Sequence, residues 1–289
     1  MASPHCRTGP CTPRDLTGRP VAGGRAGYPR GVNEDDRARL KAAITTAWDR
    51  GAADYDRIPR HGILHDDERI AWRRLVAAIL GDATHSEMPK LEVLDVGTGT
   101  GTLALVAAEL GHDVIAVDLS ERMVLAARRK SIESGIAVDW RIGDAEDPPV
   151  PEASVDAVVS RHLVWTLPDP LVAARAWRAR LRPGGLVAVI DGSYPRRPLP
   201  LRLLAAAAAR LKGGEDEHEY PPEIDARLPL LNQPSPEALM GVLRQAGFER
   251  VGARGLGEID RIERAHLGFI QRTADGWRRY LVVGRAPRA

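Results

Sequence analysis

Cysteine is almost missing from this chain: Cys6 and Cys11 are the only two in 289 residues, and both lie near the start. That excludes a disulfide framework and a thiolate metal cluster, and a reducing cytoplasm is the expected setting. Long apolar runs are missing too. No stretch reaches the roughly 18 apolar residues that span a bilayer, and the opening "MASPHCRTGPCTPRDLTGRP" lacks the apolar centre of a signal peptide. A soluble protein with no membrane partner is expected. Excess charge of either sign is absent, since 41 Lys and Arg face 39 Asp and Glu for a net +2. A chain so balanced carries no electrostatic footprint for a nucleic-acid backbone. The expected partner is a small molecule, with the protein a monomer or homodimer.

What is present is length for one large α/β domain with additions. Residues 1–32, rich in Pro, Gly and Arg with few large apolar side chains, read as a disordered tail. Residues 33–90 read as an N-terminal helical cap. Its first helix, "EDDRARLKAAITTAW", sets Leu40, Ile44, Ala47 and Trp48 on one face. Its second runs from Asp66 to about Leu80, with Trp72, Leu75, Val76, Ile79 and Leu80 as a buried stripe and Gly81 as its stop. A polar loop between them carries Tyr55 and His61.

From residue 91 to 289 short apolar runs alternate with helical segments, the pattern of crossover units and a parallel sheet covered on both faces. Strands are expected at 91–96, 113–118, 137–142, 155–160, 185–191, 249–256 and 278–284. Asp169 with Pro170 and Ser235 with Pro236 mark helix starts; Pro183, Gly184 and Gly185 mark the end of one helix and Gly247 of the other. Residues 193–232 break the alternation with an Ala-rich helix and an acidic loop, and read as a lid insertion over the strand ends.

The first strand runs into "VLDVGTGTGT", residues 93–102. Glycines between a strand and a helix let a ligand touch main chain at the carboxyl edge of the sheet. Gly99, Gly101 and Ala104 satisfy a relaxed G-x-G-x-x-A pattern, so a dinucleotide is one candidate. Asp95 points elsewhere, because a carboxylate inside the strand end suits a cation or an N–H group rather than a pyrophosphate. "VDLS" puts Asp118 where a ribose diol is gripped, and "GDAED" adds Asp144 after the third strand.

With these residues in order, "VLDVGTGTGTLAL", "VIAVDLSERMVLAAR", "RIGDAEDPP", "VDAVVSRHLVWTLPDP" and "LRPGGLVAVIDG" resemble the motifs of class I S-adenosylmethionine-dependent methyltransferases, specifically the small-molecule, ubiquinone-methyltransferase-like group. The resemblance spans 91–192. It implies a Rossmann-like, seven-stranded, mostly parallel sheet with helices on both faces and the last strand antiparallel, "GFERVGARGLG" and "WRRYLVVGRA" forming the closing hairpin. It implies S-adenosylmethionine as cofactor. Gly97, Gly99 and Gly101 would contact it closely, Asp95 would lie by the methionine amino group, and Asp118 would take the ribose with Leu119 and Met123 beside the adenine. Asp144 would accept from the adenine amine with Ala145 giving a backbone contact; Thr98, Gly143 and Arg161 complete the implied cofactor set. A DPPY-like signature for adenine or amide nitrogens is absent.

Methyl transfer needs alignment above all, and a base only when the acceptor carries a proton. His162, after the fourth strand, is the first candidate base, with His61 facing the acceptor and Tyr55 facing the cofactor's carboxylate or sulfonium. Trp48, Trp72 and Trp165 are candidate pocket walls. The acids Glu215, Asp216, Glu217 and Glu219 with His218 lack fixed geometry, so no metal is expected. The acceptor atom is not legible. Three alternatives stand beside methyl transfer: displacement or cyclisation within the cofactor releasing methylthioadenosine, a nicotinamide-dependent oxidoreductase, and a non-catalytic cofactor-binding scaffold.

Overall fold

The computed structural model describes residues 34–85, 88–193, 224, 227–231, 235–268, 272 and 276–288. The expected tail, the acidic loop with His218 and most of the 193–232 insertion lie outside them.

Strands β1 (Glu92–Val96), β2 (Asp113–Asp118), β3 (Asp139–Ile142), β4 (Val155–Arg161), β5 (Leu181–Ser193), β6 (Glu249–Gly255) and β7 (Arg278–Arg285) form a seven-stranded sheet in the order β3-β2-β1-β4-β5-β7-β6. The first five pair in parallel, and β7 is antiparallel to both β5 and β6. Val93, Leu94, Val96, Val155, Ala157 and Val158 are fully buried, as strands covered on both faces require. The order reverses between β1 and β4, so the carboxyl ends of these strands open the crevice where ligands bind in such sheets.

Helices α1 (Glu34–Gly51), α2 (Asp66–Leu80), α3 (Thr102–Glu109), α4 (Glu121–Ser134), α5 (Pro170–Arg180), α6 (Pro236–Gln245) and α7 (Gly257–His266) accompany the sheet, with short 3-10 turns at Tyr55–Arg57 and Val164–Thr166. Their starts follow the local chemistry. The Ser120 hydroxyl accepts from Met123 N at the head of α4, Asp169 accepts from Leu171 N and Val172 N before Pro170, and Ser235 accepts from Ala238 N before Pro236.

Three local expectations need correction. The Pro183-Gly184-Gly185 run does not end α5: the helix stops at Arg180 and the run lies inside β5, where the pairing register with β4 shifts. The closing strands are no simple hairpin, because α7 intervenes between β6 and β7. And α2 is built into the main core rather than a cap: its Trp72, Leu75, Val76 and Leu80 join β1, α3 and β4 in one apolar cluster. From the loop after α1, Ile63 packs against the same cluster. The α1 stripe, Leu40 and Ile44 with Ala47 and Trp48, packs against Ile224, Leu228 and Trp165 in a satellite cluster.

Candidate functional site

The turn after β1 is a run of left-handed glycines, Gly97, Gly99 and Gly101, with φ of 64°, 55° and 85°. They serve different ends. A Cβ on Gly97 would meet the Leu163 side chain at 2.6 Å, and one on Gly101 would meet Trp140 at 2.5 Å. A Cβ on Gly99 would find only Tyr55, at 3.8 Å, so this glycine leaves open space in front of the turn. Gly101 caps the start of α3, with its bare face packed on Trp140.

In front of Gly99 lies a cleft lined by Tyr55, Gly97, Asp118, Leu119, Met123, Gly143, Asp144, Ala145, Arg161 and His162 among others. A deeper recess shares Tyr55, Gly97, Gly99 and Arg161 with it and adds Asp95, Thr98 and Thr102. Most of the residues singled out in the sequence therefore meet in one place. His61 stands behind the wall, its ring stacked on Tyr55 at 4.7 Å and 5° and edge-on to His162 at 5.6 Å.

The carboxylates are fixed by main chain. Asp118 Oδ2 accepts from Gly99 N at 2.7 Å and Oδ1 from Ser120 N at 2.9 Å. Burial raises its pKa, although these bonds pull it down. Asp95, 1 % exposed, accepts from Thr98 Oγ1 at 2.7 Å and Ala104 N at 3.1 Å. Burial pushes it up to about 7, so it is half protonated near neutrality until a cation arrives. Asp144 is held by Lys41 of α1, whose ammonium also contacts Glu146 at 2.6 Å.

Arg161 is the buried cation of the cleft. Burial, then the nearby Arg279, lowers it to about 10. It donates to the Arg60 carbonyl at 2.6 Å and lies 4.6 Å over the Trp72 ring, while its Nε is buried without a partner. His162 is buried with its Nε2 unpartnered among the described residues and its backbone left-handed at φ 56°, a conformation uncommon outside glycine but one that His, like Asn and Asp, adopts more often than most. Burial, then Arg161 and Arg279, holds it well below the usual histidine range, so its imidazole is neutral. Tyr55 is pushed up to about 12 by burial and stays a phenol.

Trp48 lines the cleft and packs edge-on to Tyr55 and to Trp165, each at 5.9 Å. Trp72, a candidate wall, is instead fully buried in the core, where its N–H is satisfied by Glu263 at 3.2 Å.

Several contributors carried no sequence signal. Lys41 is one polar residue on an amphipathic helix, and Arg279 and Glu263 are distant in the chain from the motifs. Asp191, 1 % exposed at the end of β5 and pushed up to about 7 by burial, sits in "VIDG" without any spacing that marks it. Among the described residues one group has metal-ligand spacing, His65, Glu68 and His266. Its atoms are committed elsewhere: Glu68 accepts from Leu64 N and His65 N, and His266 pairs with Asp67.

Residues 94–189 match the family described as "Methyltransferase domain". A ubiquinone biosynthesis O-methyltransferase of Xanthomonas campestris pv. campestris is 36% identical over 133 residues, 41% of this chain and 56% of that protein. A homologue of the same description from Bordetella avium is 31% identical over 179 residues, covering 57% and 64%. This chain thus spans between half and two thirds of the length of such relatives. Among solved structures, phosphoethanolamine N-methyltransferase 2 of Haemonchus contortus, in complex with phosphomonomethylethanolamine and S-adenosylhomocysteine, aligns with a TM-score of 0.53 at 19% identity, covering 74% of this chain and 53% of that one. Sheet order and glycine turn agree with the domain match: residues 94–189 are similar to a methyltransferase domain.

Proposed function

We propose that this protein transfers a methyl group from S-adenosylmethionine to a small molecule held beside His162. The observation that carries the reading is one cleft combining three separate carboxylates, Asp95, Asp118 and Asp144, with a buried guanidinium that has no carboxylate partner among the described residues. The donor set fits the cofactor group by group. Asp118, pre-aimed by two amides, suits a diol; Asp95 suits an ammonium; Arg161 suits a carboxylate; Leu119 and Met123 give an apolar wall for adenine. Open space at Gly99 lets main chain approach.

When bound, the cofactor supplies a methyl group on a cationic sulfonium. The chain's own part is alignment and exclusion of water, with Tyr55 and Trp48 closing the side toward α1. His162, neutral and unpartnered at Nε2, accepts the proton that a hydroxyl or ammonium acceptor must lose. The names of the ubiquinone-type relatives point to an oxygen acceptor. The protein acts in small-molecule biosynthesis, in the cytoplasm.

Asp118→Ala tests the reading. It should weaken S-adenosylmethionine binding by about 1.5–3 kcal/mol, the usual loss for a hydrogen bond to a charged group. A folded variant with unchanged affinity by calorimetry would remove Asp118 from the site. A second reading, in which the cofactor's own arm reacts, is separated by product: S-adenosylhomocysteine means methyl transfer, methylthioadenosine means displacement within the cofactor.

A further inference from the structure

Behind the cleft two guanidinium groups converge on a single oxygen. Arg161 Nη2, from the end of β4, and Arg279 Nη2, from β7, each donate to the Arg60 carbonyl at 2.6 Å. The Trp72 ring lies beneath both, 4.6 Å from one and 5.6 Å from the other. Like charges this close repel, and burial in low dielectric makes the repulsion costly. Arg279 is compensated. Its side chain is fully buried, bonded to Glu263 and 3.5 Å from Asp260 Oδ1, and its own N–H donates to Asp260 Oδ2. Glu263 is held in turn by Trp72 Nε1. Among the described residues Arg161 makes no such carboxylate contact, and it is the one that lines the cleft and the recess.

The shared acceptor belongs to the loop that carries Tyr55 and His61. Arg60 has φ of 76°, and this left-handed backbone turns its carbonyl toward the two cations. The loop is also tightly wound, since a Cβ on Gly62 would fall 2.2 Å from the Asp56 carbonyl. Three segments distant in sequence therefore share one contact: the loop, β4 and β7.

We propose that Arg279 is a positioning residue for the amino-acid arm of the cofactor: through the Arg60 carbonyl it holds the loop against the sheet and leaves Arg161 turned toward the recess to receive a carboxylate. The inference rests on the reading of the cleft as an S-adenosylmethionine site. An anion from the arm balances Arg161, and Glu263 keeps Arg279 from competing for it. The adenosine half of the cofactor lies by Asp118 and Asp144 and does not depend on this contact.

The test is calorimetry with two probes, S-adenosylhomocysteine and methylthioadenosine, which lacks the amino-acid arm. Arg279→Gln alone strands two buried acids, so the variant of choice is Arg279→Gln with Glu263→Gln, which keeps the site's charge balanced. Arg279→Lys, which retains the charge but not the fork, serves as a second variant. The double variant should lose about tenfold or more in affinity for S-adenosylhomocysteine and less than about twofold for methylthioadenosine. Amide exchange over 56–62 should rise in the ligand-free protein. Equal losses for both probes, or no loss for either, would overturn the inference. Should neither probe bind the parent protein, the reading of the cleft fails. Exchange over 56–62 then still decides on the clamp, which unchanged protection in both variants would refute.

Discussion

Asp95 and His162 are both buried ionisable groups, yet burial drives them to opposite uses. Raised to about 7, Asp95 must give up its proton if it is to meet the cofactor's ammonium as proposed. A cationic ligand favours the ionised carboxylate, so binding releases a proton wherever the free protein still holds one. Affinity is therefore full above about pH 7 and falls below it, by up to about tenfold per pH unit. Methylthioadenosine has the ribose but no ammonium and should bind with a flat profile over the same range; parallel profiles for the two ligands would discard Asp95 as the ammonium site. His162 is held well below the usual range by burial, then by Arg161 and Arg279. Turnover at saturating cofactor should show no rising limb near pH 6.5. His162→Ala should cut turnover by about 100-fold or more while leaving S-adenosylhomocysteine affinity nearly intact, the signature of a lost base. An equal fall in affinity would make it a packing residue.

Among the elements, α1 is the one that must answer to the cofactor. Its apolar face packs on a small satellite cluster, and its polar side reaches the cleft through Lys41 to Asp144 and Glu146, and through Asp49 to Ser120. Against the desolvation that lowers it, Lys41 is held above its ordinary range by its bonds to those two acids. Lys41 thus occupies Asp144, the carboxylate proposed for adenine recognition. Lys41→Ala should raise amide exchange across 37–50, while Tm, set by the main core, falls by only a degree or two, as a part-buried ion pair worth about 1 kcal/mol implies. Unchanged exchange would mean that the satellite cluster alone holds α1. The amphipathic pattern of α1 was readable, since Leu40, Ile44 and Trp48 repeat at helical spacing. The destination of Lys41 was not, because an ion pair 103 residues apart leaves no periodic trace.

Across the whole molecule, binding and folding are linked. A ligand that binds only the folded chain stabilises it by about 2.7 kcal/mol at a hundred times its Kd, so S-adenosylhomocysteine should raise Tm while NAD(H) does not. A shift with NAD(H) alone would restore the oxidoreductase reading that the relaxed glycine pattern left open. Fold and reaction are separate questions, and the product assay answers the second.

The sheet was written in the sequence because strand residues buried on both faces must be apolar almost without interruption, and β1, β2 and β4 show this. The glycine turn and the three carboxylates were legible for a related reason: close approach and charge at a strand end tolerate few residue types. What tertiary structure decided was how the pieces share space. It chose Gly99 over Gly97 and Gly101 as the open face, since only packing against Leu163 and Trp140 fills the other two. It took Trp72 from the pocket to the core, and brought Arg279 to within one oxygen of Arg161. Such contacts join residues distant along the chain, and a buried charge is stable only beside partners that local sequence does not name.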